Sequence, residues 1–448
     1  MNFKIKELEK NYKPLYVYRL FKEDKDSIFL DSSKEDSELS LYSFIGINPI
    51  CRFKAEGDNV YLDGEKLKGE KPFDFLEKLM DKYKIEYESE LPFIGGALGY
   101  FSYDIGRILE ELPNTAQKDL NIPDSIFIVY ENIIIFDLVR GKTFISALGN
   151  IDNSIDSIEI RLKEYKEEKE IVFKENNNEF YSNFNKDEYE EAVLKIKDYI
   201  RSGDVYIANM TRRLWCNNQE ESFDIYEKLR KINKAPFSAY INYEEFQVIS
   251  SSPERFLSIR EGLVHTSPIK GTRPRGETEE EDLKNKNALI NSEKDKSELL
   301  MIVDLERNDL SKVCRPNTVK VIELFKIEEY ATVFHLVATI EGRLKDNISS
   351  VKCIKECFPG GSITGAPKIR AMEIIEELEG LKRNIYTGAI GYFDLRGNCD
   401  FNIVIRTIIK KGNKAYLGVG GGITWDSVGD AEWFETIDKA KALMRVLK

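Results

Sequence analysis

Four carboxylates with a repeated spacing are the first residues in this chain able to do chemistry together. Asp295 and Glu298 stand three apart in a helical pattern over residues 292–307, so they share one face. Glu432 and Glu435 repeat that spacing in the last helical stretch. Brought together from separate helices, the pairs would form an oxygen-rich cage for a hard cation such as Mg²⁺. In a chain with 32% charged residues, such pairs are usually solvated helix faces, and the spacing alone is a weak signal for a metal.

Lys270 follows an apolar strand pattern, residues 262–269, and precedes Gly271. A lysine at a strand end inside a pocket can lose its proton through desolvation and become a nucleophile. Most lysines at strand ends are solvated instead. His335, one of two histidines, lies in an alternating stretch with Val333 and Val337 on its face. That suits a core histidine or one aimed into a site. Two glycine-rich runs, residues 359–368 and 418–423, fit close backbone approach to a small ligand, or simply tight turns. Neither is a nucleotide motif. Three residues, not four, separate Gly361 from Gly365, and Ala366-Pro367-Lys368 follows in place of Gly-Lys-Ser/Thr. Ile423 takes the place of the last glycine in the dinucleotide pattern.

The elements that must position these groups are mostly short strands. Asp63-Gly64, Arg140-Gly141-Lys142, Glu261-Gly262, Arg396-Gly397-Asn398 and Lys411-Gly412-Asn413 are hairpin signals, and strands so joined are antiparallel. Helical periodicity appears at 73–83, 155–169, 279–306, 366–379 and 427–447. A further helix starts at Asn185, where Glu188 completes a capping box and Tyr189, Val193, Ile196 and Ile200 share a face. The polar run Lys174-Glu175-Asn176-Asn177-Asn178-Glu179 suggests a break between an N-terminal segment, 1–170, and a C-terminal one, 185–448. The expected class is α+β, with large antiparallel β-sheets forming a sandwich and helices packed outside.

Composition narrows the function. The 448 residues carry 66 basic and 78 acidic side chains, a formal net charge of −12. That balance argues against nucleic-acid binding, which needs a basic stripe, but leaves room for a small acidic ligand in a locally basic pocket. No apolar run approaches the ~18–20 residues of a membrane span. The opening MNFKIKELEKNYKP lacks the apolar core of a signal peptide, so a cytoplasmic protein without membrane contact is expected. The six cysteines are scattered, and Cys353 and Cys357 lack a second pair for zinc. Reduced structural thiols are expected.

Several segments, in order along the chain, then combine. They are Gly95-Gly96-Ala97-Leu98-Gly99-Tyr100-Phe101-Ser102-Tyr103-Asp104, Ser252-Pro253-Glu254-Arg255-Phe256, and Ile302-Val303-Asp304-Leu305-Glu306-Arg307-Asn308-Asp309. After them come residues 359–368, Ile405-Arg406-Thr407 and Gly420-Gly421-Gly422-Ile423. Together they resemble the chorismate-binding enzymes, which include anthranilate, aminodeoxychorismate and isochorismate synthases. The resemblance implies an anthranilate synthase component I-like fold and Mg²⁺ as cofactor. Glu298 and Glu435 would bind the ion, and Asp295 and Glu432 would hold its waters. The family more often has glutamate where Asp295 stands. The ion would grip the ring carboxylate of chorismate. Arg406 and Tyr386 would meet the enolpyruvyl carboxylate, helped by the backbone of Gly420, Gly421 and Gly422. His335 would lie near the ring carboxylate and the departing hydroxyl. Gly271, Thr272 and Lys439 complete the implied substrate contacts.

Within the family, Pro268-Ile269-Lys270-Gly271-Thr272 resembles the aminodeoxychorismate-forming members, whereas anthranilate-forming members carry alanine at the lysine position. The implied chemistry is attack of the Lys270 amine on C2 of chorismate, loss of the C4 hydroxyl, then addition of ammonia at C4 with release of the lysine. Glu254 would act as general acid and then base. Isochorismate-type members place a lysine where Ile207 stands, which disfavours water addition. With two histidines and no Gly-x-Cys-x-Gly elbow, no glutaminase triad is visible, so ammonia implies a partner glutaminase subunit. Anthranilate synthesis is the alternative. Residues 29–33 and 42–46 resemble the region where relatives hold tryptophan. Asp31, Ser32, Tyr42 and Ser43 are the candidate contacts there, against a purely structural sheet.

Overall fold

The apolar run SIFIVYENIIIFD is unbroken because both faces of its strand, Ser125–Asp137, are buried. Ile126, Ile128, Ile133 and Ile135 enter a central cluster supplied by strands, with Phe44, Leu98, Ile241, Val248 and Ile390. Phe127 and Val129 face a second cluster, where helices Pro72–Tyr83, Glu293–Val313 and Ser350–Cys357 pack. Ile134 and Phe136 face a third, covered by helices Ile151–Leu162, Ser222–Ile232 and Gly429–Leu447. Sheet packs on sheet in the middle, and helices close both outer sides.

The computed structural model describes residues 2–33, 39, 41–167, 177–330 and 333–448. Among these, 22 strands join in one antiparallel hydrogen-bonded network. The N- and C-terminal segments share it. Ser27–Asp31 pairs with Phe237–Asn242, and Gly96–Phe101 pairs with Ala389–Asp394. Of the polar run 174–179, residues 174–176 lie outside the described residues.

All five hairpin signals fall at turns between paired strands. Asp63-Gly64 (φ 50° and 87°) and Glu261-Gly262 (φ 52° and 75°) supply the two successive left-handed residues that a tight hairpin requires. The capping box at Asn185 forms in both directions, at 3.0 Å and 2.8 Å. Three helix expectations shift. The pattern at 279–306 is two helices, Glu279–Ile290 and Glu293–Val313, because Ser292 caps the second by accepting from Asp295 N–H. That at 155–169 is Ile151–Leu162, and that at 366–379 begins at Lys368, after Pro367. The six thiols are free and buried, and among the described residues no helix is long and apolar enough to cross a membrane.

Candidate active site

Pro268 decides where Lys270 goes. Having no N–H to donate, it separates Leu263–Ser267 from a new strand, Ile269–Pro274. Lys270 therefore lies inside the second strand, opposite Leu336, and not at the end of the first as the pattern suggested. The register slips between Lys270 and Thr272, with Gly271 at φ +73°. A Cβ on Gly271 would stand 2.8 Å from Leu289 Cδ1 and 2.9 Å from Asp295 Cβ. The glycine thus lets the carboxylate-bearing helix Glu293–Val313 press against the lysine strand.

The amine of Lys270 donates to the carbonyl oxygen of Ser362 at 2.9 Å. Asn209 Nδ2 donates to the same oxygen at 2.9 Å. The Ser362 hydroxyl faces Glu254, whose Oε1 receives Ile269 N–H at 3.4 Å. Ser362 therefore touches the lysine through its backbone and the glutamate through its side chain. Burial raises the Glu254 carboxyl above the ordinary carboxylate range, opposed by the Lys270 charge. Burial lowers Lys270, opposed by Glu298 and Glu254, while Lys439 adds to the lowering. Both shifts favour the neutral forms.

On the next rung of the ladder Thr272 pairs with His335, and Thr272 Oγ1 lies 2.9 Å from His335 Nδ1. The imidazole is buried against Tyr330, with ring centroids 5.0 Å apart.

Helices Glu293–Val313 and Gly429–Leu447 bring three of the four carboxylates to face one another. Lys294 Nζ stands 3.9 Å from both Glu298 and Glu432. A Cβ on Gly421 would lie 3.2 Å from Glu435 Oε1 and 3.4 Å from Glu432 Oε2. Burial raises Glu298 and Glu432, and neighbouring carboxylates add to it. For Glu435 burial is outweighed by Lys439, 2.6 Å away, and its carboxyl is lowered. Asp295 turns instead to Arg273 Nη2, at 2.8 Å. Among the described residues no three His, Cys, Asp or Glu side chains form a ready-made metal cage. The donors still fit a hard divalent cation, since an excess of carboxylate oxygens converges where an ammonium now bridges two of them.

The glycines expected as a loop at 418–423 belong to a strand, Lys414–Ile423, paired with Ile207–Asn217 along its length. The strand Thr407–Lys411 flanks it only as far as Leu417, so from Gly418 that edge is open. Lys439 Nζ reaches it, donating to Gly420 O at 2.9 Å. Arg406, at φ +54°, donates to Lys439 O at 2.7 Å, and burial lowers its guanidinium. Tyr386 is raised by burial, with the Arg406 and Arg383 charges opposing. Ile207 is buried and packs against Gly422. The run 359–368 has its backbone largely engaged: Gly365–Ala366 pairs with Ile207–Asn217, and Lys368 bonds Asp309 and Cys357 O.

This arrangement offers an amine and a buried carboxyl sharing one serine, an acidic cluster suited to a cation, and a guanidinium beside a phenol suited to a carboxylate. The chorismate binding enzyme family model matches residues 25–445. The chain belongs to the chorismate-binding enzyme family. Anthranilate synthase component 1 of Acetivibrio thermocellus is 35% identical, over 97% of this chain and 92% of that one. Aminodeoxychorismate synthase component 1 of Bacillus subtilis is 37% identical, over 96% and 93%. The crystal structure of anthranilate synthase component I from Streptococcus pneumoniae superposes with TM-score 0.82 at 32% identity, covering 92% of this chain and 93% of that one.

Three residues of this chorismate-binding enzyme escaped the sequence reading. Ser362 and Asn209 lie in stretches whose glycines and neighbours drew attention, and contacts made through a backbone carbonyl leave no signal in residue type. Gly418 is the third. A Cβ there would stand 2.3 Å from the Tyr386 ring, so the glycine lets the phenol lie flat on the strand. Gly418→Ala is expected to displace that ring and lower kcat/KM for chorismate about 10²-fold, mostly through KM, as steady-state kinetics will read.

The N-terminal candidates lie elsewhere. Asp31, Ser32 and Tyr42 line a cavity of ≈ 260 Å³ together with Arg255, His265 and Asp400. Ser43 is fully buried behind it, accepting from Ser32 N–H at 3.0 Å and bonding Asp31 at 3.2 Å. Asp31 also accepts from Tyr226 at 2.9 Å and Arg230 at 2.6 Å.

Proposed function

We propose that this chorismate-binding enzyme converts chorismate and ammonia to 4-amino-4-deoxychorismate. The observation that carries the reading is the Lys270 amine, partly desolvated and 2.9 Å from Ser362 O, beside a buried Glu254 that faces the same serine. The neutral amine adds to C2 of the ring, both conjugated ring double bonds shift towards C4, and the C4 hydroxyl leaves as water with the Glu254 proton, the Glu254 carboxylate then taking the extra proton of the new C2–N group. Ammonia then adds at C4, both double bonds return, and the C2–N bond to Lys270 breaks as Glu254 protonates the departing amine and then takes a proton from the new C4 ammonium. An internal nucleophile at C2 directs the external nitrogen to C4.

Arg406 and Tyr386 orient the enolpyruvyl carboxylate, and Thr272 fixes the His335 ring beside the ring carboxylate. Glu298 and Glu435, with Glu432 and Asp295, would hold Mg²⁺; Asp295 would first give up Arg273. The ion, when bound, supplies charge neutralisation for the ring carboxylate. Relatives named component 1 support a partner component, which this reading takes to be a glutaminase delivering ammonia in the cytoplasm. Tryptophan in the N-terminal cavity would meet an Asp31 already bonded to Arg230. The similarity to anthranilate synthases favours a second reading, in which nitrogen enters at C2. Purified protein with chorismate, Mg²⁺ and ammonium salt, without partner, is expected to yield aminodeoxychorismate, identified by mass and absorbance. Anthranilate from the same mixture would establish the second reading instead.

A further inference from the structure

Glu306 has no part in the chemistry above, yet its setting is unusual for a carboxylate. It lies buried on the helix Glu293–Val313. Its Oε2 is 2.8 Å from Thr266 Oγ1, and the same hydroxyl is 2.7 Å from the carbonyl oxygen of Phe256. A threonine hydroxyl has one proton, and a carbonyl oxygen can only accept. If Thr266 donates to Phe256, it offers Glu306 only lone pairs, and an ionised carboxylate offers only lone pairs in return. Two full hydrogen bonds, rather than one proton split between two acceptors, form when Glu306 carries a proton and donates it.

The surroundings agree. Glu254 faces Glu306 from the turn before strand Arg255–Arg260, and Asp309 faces it from its own helix. Lys368, from the start of helix Lys368–Glu379, is the cation facing it, and that ammonium is already bonded to Asp309. Burial, the largest cause, raises the Glu306 carboxyl to about 8. Glu306 Cγ lies 3.6 Å from where a Cβ on Gly361 would stand, under the turn that presents Ser362 to Lys270 and Glu254.

We propose that Glu306 works as a neutral carboxylic acid and as a positioning residue. It keeps a second negative charge away from Glu254 and supports the turn that touches both reacting groups. The inference rests on Glu254 and Lys270 as the reacting pair, not on which product forms.

Protein carrying ¹³C at the glutamate carboxyl carbon, titrated by NMR without substrate, tests the protonation directly. One resonance is expected to stay protonated through about pH 7 and to be missing in E306Q. Thr266→Val shifts the same resonance, which assigns it even if E306Q does not fold. Titration of that resonance in the ordinary carboxylate range overturns the proposal. Stability gives a second readout. Between the unfolded value of 4.5 and about 8 the folded chain holds a proton that the unfolded chain releases. Stability therefore falls as pH rises across that window, and E306Q removes this slope.

The positioning role is read from the rate of chorismate consumption against pH. Above about pH 8 the wild-type kcat declines as Glu306 ionises, whereas E306Q, a neutral donor of the same shape, holds its rate. Glu306→Ala loses kcat about tenfold with little change in KM. A decline in E306Q that matches the wild type overturns the role. Product identity in the same assays reports separately on the aminodeoxychorismate reading.

Discussion

Lys270→Ala is expected to abolish aminodeoxychorismate formation, by at least about 10²-fold, while the protein stays folded and still binds chorismate. Alanine has no nucleophile to add at C2, so the route that reserves C4 for ammonia is closed. Folding survives for a local reason. The Ser362 carbonyl that accepts from Lys270 also accepts from Asn209, so the substitution orphans no buried acceptor. With C2 free, ammonia added there would divert the reaction towards anthranilate. Product analysis by mass and absorbance, with chorismate affinity by titration calorimetry, separates the outcomes. An unchanged product and rate in K270A would remove the covalent step from the mechanism.

Glu254→Gln is the second large effect, a fall of about 10²–10⁴-fold in kcat near neutral pH, together with a changed pH profile. The reactive form needs a neutral amine and a protonated carboxyl at once. With ordinary values of 4.5 and 10.5, that form is only about 10⁻⁶ of the ion pair. Burial raises Glu254 and lowers Lys270, and each unit of either shift recovers a factor of about ten. The ion pair and the neutral pair hold the same number of protons. Below the decline that Glu306 imposes above about pH 8, the wild-type rate is therefore expected to be flat with pH between the two apparent values of the pair. In E254Q the lysine must release its proton to solvent. The logarithm of the rate then rises about one unit per pH unit, up to a lysine pKa lowered further by loss of the Glu254 charge. A flat profile in E254Q would show that Glu254 does not exchange a proton with the reacting amine.

Much of this protein was legible from residue type and local spacing alone. Gly and Asp at the hairpins set left-handed turns, and Asn185 with Glu188 set a helix start, because those are short-range backbone preferences. The ordered segments from Gly95 to Ile423 carried the family, and Lys270 stood out within it. What the spacing of Asp295, Glu298, Glu432 and Glu435 left open was whether they meet. Only the packing of two helices against strands Ile269–Pro274 and Lys414–Ile423 turned three of them together and gave Asp295 to Arg273. The glycines at 418–423 read as a loop because glycine is permissive. In the fold they belong to a strand paired with Ile207–Asn217, where the Tyr386 ring and Met210 O approach Gly418 and Gly420 too closely for a side chain. The contacts of Ser362 with Lys270 and Glu254, and the placing of the Thr266 hydroxyl between Phe256 O and the Glu306 carboxyl, were likewise decided by tertiary structure. Both depend on backbone carbonyls and on burial, which no residue type announces, and both arise where segments 40 and 92 residues apart in sequence are pressed into one low-dielectric space.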